Sequence, residues 1–266
     1  MKIFEPYVRD WRLVPDGRPI KTATGCLLPV RQDGAAAMLK VARVDEERRG
    51  GRLMAWWNGD GAARVLAHDG DALLLERALG PLSLARMARG GDDAQATRIL
   101  CAVVARLHAP RARALPERVP LRGWFGDLWP AARLHGGLLA ASARSARALL
   151  ARPRDAGVLH GDIHHGNVLD FGPRGWLAID PKGLHGERGF DYANLFCNPS
   201  PRTALARGRF AQRLDIVAAE AGLDRRRLLQ WILAWAGLSA VWMMQDGADP
   251  AGTLRVAERA AAALAA

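Results

Sequence analysis

The sequence has 266 residues, a length that suits one large domain or two small lobes. Half of the residues are hydrophobic, which is enough to bury a core and excludes an intrinsically disordered chain. The net charge of +11 comes almost entirely from 34 arginines, because only four lysines are present. The arginines are scattered along alanine-rich stretches and form no basic block with interleaved aromatic residues. This pattern favours a solvated basic surface, and no nucleic acid partner is expected.

The cysteines and the apolar segments indicate where the protein resides. Cys26, Cys101 and Cys197 are odd in number and too far apart for a metal motif, which suits a reducing cytosol. Residues 1–11 carry charges and lack the apolar core of a signal peptide. The apolar run 228–244 has 17 residues, whereas a membrane span needs about 20, so it predicts a buried core helix. We expect a cytoplasmic protein with no membrane attachment and no evident protein partner.

The first 79 residues alternate strand patterns with one helix. Apolar segments bounded by Gly or Asp turn signals predict strands at Cys26–Arg31, Ala36–Ala42 and Ala72–Arg77. The stretch Asp45–Trp57 begins with charged residues and carries an apolar side, so it predicts a helix.

After Gly80-Pro81 helical patterns dominate. The predicted helices, interrupted by a β-like island at residues 158–180, are Asp92–His108, Trp124–Ala151, Arg202–Ala221 and Asp224–Gln245. The sequence therefore predicts an α+β, two-lobed fold. Residues 1–79 form a small β-rich N-terminal lobe, and residues 80–266 form a helical C-terminal lobe. Ligands commonly bind in the cleft between such lobes.

The β-like island has the pattern of a hairpin. Two short apolar runs, 168–171 and 176–179, flank the turn-forming residues 172–175, which predicts a four-residue loop. If this loop closes symmetrically, Phe171 faces Trp176.

The same register places polar side chains together at the open end of the hairpin. Counting outward from the loop, Asn167 faces Asp180. Carboxylate and amide oxygens suit Mg²⁺, which binds one or two protein carboxylates plus substrate phosphates. Asp162 lies five residues before Asn167, near enough to face the same site.

These residue types are the ones that phosphoryl transfer requires. One carboxylate, for which Asp162 is the candidate, orients the attacking hydroxyl and accepts its proton, while Asn167 and Asp180 hold the metal ions. A cation must also neutralise the phosphates, and Lys40 is the candidate because it lies on a strand of a chain that otherwise uses arginine. A carboxylate from the following helix should pair with Lys40, and Glu47 is preferred over Glu46.

Several motifs resemble a known family. Protein kinases share the layout of His160-Gly161-Asp162 with Asn167, and the aminoglycoside phosphotransferases share it together with Ile179-Asp180. More specifically, the chain resembles the aminoglycoside/hydroxyurea kinase family in Trp176-Leu-Ala-Ile-Asp180-Pro-Lys-Gly183, Phe190-Asp191-Tyr-Ala-Asn194 and Asn198-Pro199. The likeness covers most of the chain, and the streptomycin 6-kinases are the best match within the family.

The resemblance implies a two-lobed protein-kinase-like fold and the use of ATP and Mg²⁺. It makes Asp162 the catalytic base, Asn167 and Asp180 the magnesium ligands, and Lys40 a phosphate ligand, and it makes the backbone of Glu76–Ala78 face adenine. The implied reaction moves the γ-phosphoryl of ATP to a hydroxyl of an aminoglycoside, namely the 6-hydroxyl of streptomycin, and confers antibiotic resistance.

Two further residues have implied supporting roles. His160 supports the backbone of the loop, and Asp191 ties the loop down. The first strands lack a Gly-x-Gly-x-x-Gly motif, so only Thr24-Gly25 marks a phosphate loop.

An aminoglycoside is a polycation, whereas this chain is basic, so its pocket should be locally acidic. The candidates for this acidic wall are Asp162, Glu187, Asp215, Asp246 and Asp249, with Asp162, Glu187 and Asp246 assigned to substrate binding.

Other functions fit parts of the sequence. The same chemistry could act on hydroxyurea or a metabolite, and the basic charge could belong to a non-catalytic nucleic-acid-binding protein. A zinc site built from His160, Asp162, His164 and His165 leaves Asp180 unexplained. His164 and His165 are instead expected to be exposed loop residues, and the tryptophans at 231, 235 and 242 are expected in the core. A protein kinase is disfavoured because no long activation segment separates Asp180 from Asp191.

Overall fold

The computed structural model describes residues 2–266. The N-terminal part contains two helices and six strands, which are α1 (Glu5–Asp10), β1 (Val14–Pro15), β2 (Ile20–Lys21), β3 (Gly25–Gln32), β4 (Ala35–Ala42), α2 (Asp45–Trp57), β5 (Val65–Asp69) and β6 (Ala72–Glu76). The strands form one antiparallel sheet in the order β1-β3-β4-β6-β5, with β2 also paired to β3. The predicted strands correspond to β3, β4 and β6 within a residue at each end, and the helix Asp45–Trp57 has the predicted bounds.

The rest of the described chain is mainly helical. Its helices are α3 (Leu84–Gly90), α4 (Asp93–His108), α5 (Leu121–Trp124), α6 (Leu128–His135), α7 (Gly137–Ala151), α8 (Phe190–Ala193), α9 (Pro201–Ala204), α10 (Arg209–Ala221), α11 (Arg225–Gln245) and α12 (Ala251–Ala265). Its short strands are β7 (Val119–Pro120), β8 (Ala156–Leu159), β9 (Val168–Asp170), β10 (Trp176–Ala178) and β11 (Leu184–Glu187). The hairpin β9–β10 lies within the predicted β-like island, and β8 and β11 flank it. These two flanking strands form a small sheet in the order β7-β11-β8 with β7, which comes from earlier in the chain. The α+β architecture, with a β-rich N-lobe and a helical C-lobe, is as predicted.

Two long predicted helices are broken by glycines. The segment Trp124–Ala151 was predicted as one helix, but it covers the end of α5, all of α6 and all of α7. Gly136, at φ 62°, separates α6 from α7, and Gly137, at φ 50°, is the first residue of α7. Likewise Gly208, at φ 75°, precedes α10 and separates it from α9. Glycine populates positive φ without a Cβ penalty, so it ends a helix even where the apolar pattern continues.

The hydrophobic core falls into two clusters. The smaller lies within the N-terminal sheet and includes Leu28, Leu39 and Leu74. The larger fills the helical lobe and also includes Trp57 of α2, so this helix packs with the C-lobe core. Helix α11 is long and apolar enough to span a membrane, but 67% of its most apolar window is buried in the lobe, as expected for a core helix.

Helix α2 approaches the C-lobe without an intervening side chain. A Cβ at Gly50 would lie 2.2 Å from the carbonyl oxygen of Pro181, the residue after Asp180. The neighbouring Gly51 has room, because its nearest contact would be 3.5 Å from the ring of His68. Glycine at position 50 therefore allows the helix that carries Glu46 and Glu47 to contact the loop after β10.

This contact leads to a prediction with a matched control. Gly50→Ala should destabilise the protein by about 1–3 kcal/mol, since overpacking against backbone forces a shift. Gly51→Ala should stabilise it by about 0.5–1 kcal/mol through helix propensity. Urea unfolding of both variants checks the pair. Equal effects of the two substitutions would contradict the close contact between Gly50 and Pro181.

Candidate active site

Asp191 of α8 holds the loop between β8 and β9. Its carboxylate accepts hydrogen bonds from the backbone amides of His160 (2.9 Å) and Gly161 (2.7 Å). His108 lies 2.8 Å from the same carboxylate through its Nε2 atom. Asp191 therefore ties the loop down, as the resemblance implied.

His160 supports the loop and has no free ring nitrogen. The side chain is buried, its Nε2 lies 2.8 Å from the carbonyl oxygen of Ile179, and its Nδ1 accepts a bond of 3.2 Å from the amide of Asp162. Burial lowers the pKa of His160 to about 4, so the ring is neutral near pH 7. This geometry suits a structural role and leaves no ring nitrogen to bind zinc.

Asp162 follows His160 and Gly161 in this loop, and the side-chain amides of two asparagines orient its carboxylate. Asn194 Nδ2 donates to its Oδ1 at 2.8 Å, and Asn167 Nδ2 donates to its Oδ2 at 3.1 Å. Burial raises the pKa of Asp162 to about 7, the charge of Asp180 adds to the rise, and Lys182 opposes it. A carboxylate fixed in this way can accept a proton from a hydroxyl in the adjoining cleft.

The hairpin after this loop has a different register from the predicted one. Trp176 pairs with Asp170 instead of Phe171, because the loop runs over five residues, with the Phe171 amide donating to the carbonyl of Gly175 at 2.9 Å. A 3₁₀ turn at Gly172–Arg174 accommodates the extra residue. Asn167 consequently faces Ile179, whose amide donates to the Asn167 carbonyl at 2.9 Å.

Asp180 is therefore one residue beyond the paired positions, where it adopts a left-handed φ of 63°. Such a backbone conformation is uncommon for residues other than glycine and often occurs at functional sites.

The oxygen atoms here fit a magnesium ion. Asn167 Nδ2 donates to the Asp162 carboxylate and also, at 2.9 Å, to the backbone carbonyl oxygen of Asp162. The Oδ1 atom of Asn167 therefore remains available as an acceptor. Asp180 supplies a carboxylate. Burial acts to raise the pKa of this group, but the nearby charge of Lys40 and, next, of Lys182 outweighs burial, so the pKa lies below its ordinary value. One carboxylate and one amide oxygen, completed by phosphates and water, is a donor set that Mg²⁺ accepts.

A pocket of about 320 Å³ lies between the sheet and this hairpin. It brings together the four residues predicted to bind nucleotide, namely Lys40, Glu47, Glu76 and Ala78, with Asp180 at one end. Its remaining wall is mostly apolar and consists of Thr22, Thr24, Leu27, Met38, Leu75, Arg77, Leu169, Phe171 and Ile179. A pocket with a largely apolar wall and with Lys40 beside Asp180 suits a base with phosphates attached.

Two carboxylates surround Lys40 in this pocket. Its Nζ contacts both Glu47 of α2 and Asp180. Thr24 donates a hydrogen bond of 2.6 Å to Glu47, so the turn predicted as a phosphate loop is linked to the same cluster. The preference for Glu47 over Glu46 as the partner of Lys40 agrees with this geometry.

A second, open cleft of about 530 Å³ lies on the other side of Asp162. It is lined by Glu46, Gly123, Trp124, Asp127, Gly161, Asp162, Lys182, Trp235 and Trp242. Trp242 donates a hydrogen bond of 3.0 Å to Asp127, which fixes an aromatic face beside a carboxylate. Of the predicted wall residues only Asp162 lines this cleft.

The sequence reasoning missed the other residues of this cleft. Trp124 and Asp127 lie near the helix breaks, and Glu46 was considered only as the less favoured partner of Lys40. Of the tryptophans expected in the core, Trp231 is fully buried, whereas Trp235 and Trp242 also border the cleft.

The remaining predicted wall residues lie elsewhere. Glu187 is buried in a different cavity, where Arg227 contacts both of its carboxylate oxygens at 2.6 Å. Asp246 is exposed at the end of α11, Asp215 pairs with Arg225 on the surface, and Asp249 accepts a bond from the amide of Ala251. Glu187 and Asp246 do not line the acceptor-sized cleft, so their prediction as substrate ligands does not match the structure.

The contacts of Glu187 predict an effect on stability. Trp231 Nε1 and the Arg154 amide also donate to its carboxylate, at 2.8 and 2.9 Å. Glu187→Ala leaves Arg227 without its partner and should cost about 3–5 kcal/mol in the free energy of unfolding. The exposed Asp246→Ala should change it by less than about 0.5 kcal/mol. Denaturant titration compares the two, and a Glu187 variant as stable as the Asp246 variant would contradict the assigned ion pair.

The paired histidines of the loop differ from each other. His164 is half-buried, with its Nε2 3.7 Å from Asp162, and burial lowers its pKa to about 4. Both histidines were predicted to be exposed, but His165 is only 3% exposed, and burial lowers its pKa to about 3. The next residue, Gly166, is exposed.

Comparison with known proteins agrees with this geometry. The aminoglycoside/hydroxyurea antibiotic resistance kinase family matches residues 10–247. A streptomycin 3''-kinase of Klebsiella pneumoniae is 54% identical over 242 residues, covering 89% of this chain and 91% of the relative. A streptomycin 6-kinase of Streptomyces griseus is 34% identical, covering 90% of this chain and 81% of the relative.

Solved structures show the same fold. A thermostable mutant of aminoglycoside phosphotransferase APH(4)-Ia, in ternary complex with ADP and hygromycin B, superposes with a TM-score of 0.66 at 14% identity and covers 98% of each chain. A choline/ethanolamine kinase family protein of Mesorhizobium loti has a TM-score of 0.64 at 17% identity, covering 98% of this chain and 94% of that one. The chain thus belongs to the aminoglycoside/hydroxyurea antibiotic resistance kinase family and is a phosphotransferase that acts on a hydroxyl group.

Proposed function

We propose that this chain transfers the γ-phosphoryl of ATP to a hydroxyl of streptomycin and thereby confers resistance to the drug in the cytoplasm. The observation that carries the proposal is the meeting of two cavities at one cluster. Asp180 lines the nucleotide-sized pocket, Asp162 lines the acceptor-sized cleft, and Lys182 lies between them, 3.7 Å from Asp180. A donor in the first cavity and an acceptor in the second would meet at these residues.

The composition of the cleft favours a cationic acceptor, although the whole chain is basic. Glu46, Asp127 and Asp162 bring negative charge to it, and three tryptophans supply aromatic faces that attract cations. Distant arginines matter less, because charges beyond a Debye length of about 8 Å are largely screened. A cleft of about 530 Å³ is also more suited to a multi-ring drug than to hydroxyurea.

The choice of hydroxyl follows the relatives. The sequence motifs pointed to the 6-hydroxyl, but identity is 54% to a streptomycin 3''-kinase and 34% to a streptomycin 6-kinase. We therefore favour the 3''-hydroxyl as the acceptor, and phosphorylation at position 6 becomes an outcome that the product analysis distinguishes.

Each polar residue of the site has a role in this reaction. Asp162, oriented by Asn167 and Asn194, orients the hydroxyl and accepts its proton. Lys40, positioned by Glu47, binds the phosphates, and the backbone at Glu76–Ala78 borders the adenine. Asn167 and Asp180 would hold Mg²⁺, which supplies positive charge to the phosphate oxygens when it is bound.

The test is turnover of ATP with Mg²⁺ in the presence and absence of streptomycin, followed by mass spectrometry and NMR of the drug. We expect a streptomycin-dependent rate and a singly phosphorylated product, with the modified position assigned by phosphorus–proton coupling. A product phosphorylated at position 6 would refute the 3'' assignment alone. Unmodified drug with phosphorylation of hydroxyurea or of another small hydroxyl compound would refute streptomycin as the acceptor.

A further inference from the structure

Lys182 is a charged residue of the acceptor cleft that the proposed function leaves without a role. It is one of only four lysines in the chain. Its side chain is 13% exposed, and its Nζ lies 3.1 Å from Glu46 Oε1 and 3.7 Å from Asp180 Oδ2. Its backbone amide donates to the carbonyl of His160 at 2.7 Å, so the residue is anchored to the loop that carries Asp162.

A lysine in a cleft that binds a cationic acceptor repels that acceptor. The other charged residues of the cleft are Glu46, Asp127 and Asp162, all acidic. A positive acceptor gains from these carboxylates and is repelled by an ammonium group nearby. Lys182 therefore does not serve the acceptor, and the anion that must enter this region is the phosphoryl group.

The geometry around helix α2 supports this reasoning. Two consecutive glutamates of its first turn each hold one lysine: Glu47 contacts Lys40 in the nucleotide pocket, and Glu46 contacts Lys182 in the cleft. The carboxylate of Asp180 lies between the lysines, with Oδ1 toward Lys40 and Oδ2 toward Lys182. A phosphoryl group that moves from nucleotide to acceptor beside Asp180 passes from the neighbourhood of one lysine to that of the other.

We propose that Lys182 is a catalytic residue that contacts the transferring phosphoryl group from the acceptor side, with Glu46 as its positioning residue. This inference rests on the proposed function for the order of donor and acceptor. The acceptor hydroxyl oxygen forms a bond to the γ-phosphorus as the bond to the β,γ-bridging oxygen breaks. The electron pair of that bond leaves with ADP, and the hydroxyl proton passes to Asp162. The Lys182 ammonium donates to an equatorial phosphoryl oxygen during transfer and stays with the phosphate ester that results.

The test compares Lys182→Met with Lys182→Arg and with the remote, exposed Lys2→Met. Methionine keeps most of the length of the side chain and removes its charge, so kcat should fall about 10²–10³-fold, the cost of removing one such donor. KM for streptomycin should be unchanged or lower, because a repulsive charge is gone. The kcat of Lys182→Arg should be at least about tenfold higher than that of Lys182→Met, and the kcat of Lys2→Met should match the wild type. Glu46→Gln should lower kcat by a smaller factor than Lys182→Met.

The outcomes separate this inference from the proposed function. Suppose that the wild type phosphorylates streptomycin and that the kcat of Lys182→Met is within threefold of the wild-type value. This result would overturn only the role of Lys182. A variant that loses ADP binding, measured by calorimetry, in parallel with kcat would also overturn it, because that pattern belongs to a structural lysine. If the wild type leaves streptomycin unmodified, streptomycin is refuted as the acceptor. The rates of ATP hydrolysis of Lys182→Met, Lys182→Arg and Lys2→Met are then compared, and equal rates would overturn the inference.

Discussion

Replacing Asp162 by Asn should lower kcat by about 10²–10⁴-fold, the range that a general base contributes. The amide has nearly the same shape but cannot accept the hydroxyl proton. Asn167 and Asn194 donate to different carboxylate oxygens in the wild type, so one of them can still donate to the amide oxygen and the other must turn its own oxygen toward the new NH₂ group. The loop should keep its conformation because the backbone amides of His160 and Gly161 stay bonded to Asp191. Steady-state kinetics with saturating ATP and streptomycin measures the effect, and KM for ATP should change little because Asp162 lines the other cavity.

The control for this substitution is Asp215→Asn. Asp215 is exposed and pairs with Arg225 on the surface, so kcat should stay within about twofold of the wild-type value. The Asp162 variant should also unfold at a similar denaturant concentration to the wild type. A kcat of Asp162→Asn close to that of the control would remove Asp162 as the base and contradict the central assignment of the site.

Replacing Asp180 by Ala should cost about 10²–10⁴-fold in kcat. The substitution removes the carboxylate of the magnesium donor set, and metal stabilisation of phosphoryl charge is worth several kcal/mol, with about 1.4 kcal/mol for each factor of ten. It also removes a partner of Lys40, leaving Glu47 as its contact. Binding of ADP by calorimetry, with and without Mg²⁺, should show a magnesium-dependent gain in affinity for the wild type that the variant lacks.

Asp249→Asn is the matched control for this experiment. Asp249 caps the start of α12 through the amide of Ala251 and lies outside both cavities. Its magnesium dependence should be that of the wild type. If Asp180→Ala keeps the full magnesium-dependent gain in ADP affinity, the metal is held by other groups and Asp180 has a different role.

The local features of the site could be predicted because they depend on residues close together in the chain. The loop from His160 to Asn167 spans eight residues, and the hairpin that follows returns Asp180 to the same place. Helix α2 could also be bounded, since it begins with charged residues and carries an apolar side that ends at Trp57. Such signals are read from neighbouring residues alone.

The hairpin register shows where local reasoning stopped. A symmetric four-residue loop and a five-residue loop with a 3₁₀ turn both fit the same turn-forming residues. The positive φ of Gly172 and Gly175 decides between them, and those angles follow from how the loop packs, with Arg174 donating to the carbonyl of Gly59 at 2.7 Å. The catalytic and metal residues nevertheless stay at the open end in either register.

The sequence by itself thus determined the reaction class, through the loop residues and Lys40, and most of the element bounds around the nucleotide pocket. Only the tertiary structure decided the acceptor cleft. Whether an acidic residue faces a ligand or an arginine depends on partners far away in the chain, as with Glu187 and Arg227, which are 40 residues apart. Trp124 and Trp242 meet across more than a hundred positions to form one wall, with ring centroids 5.5 Å apart. Periodicity places a residue on a helix face, but which face borders a cavity is set by the packing of helices against one another.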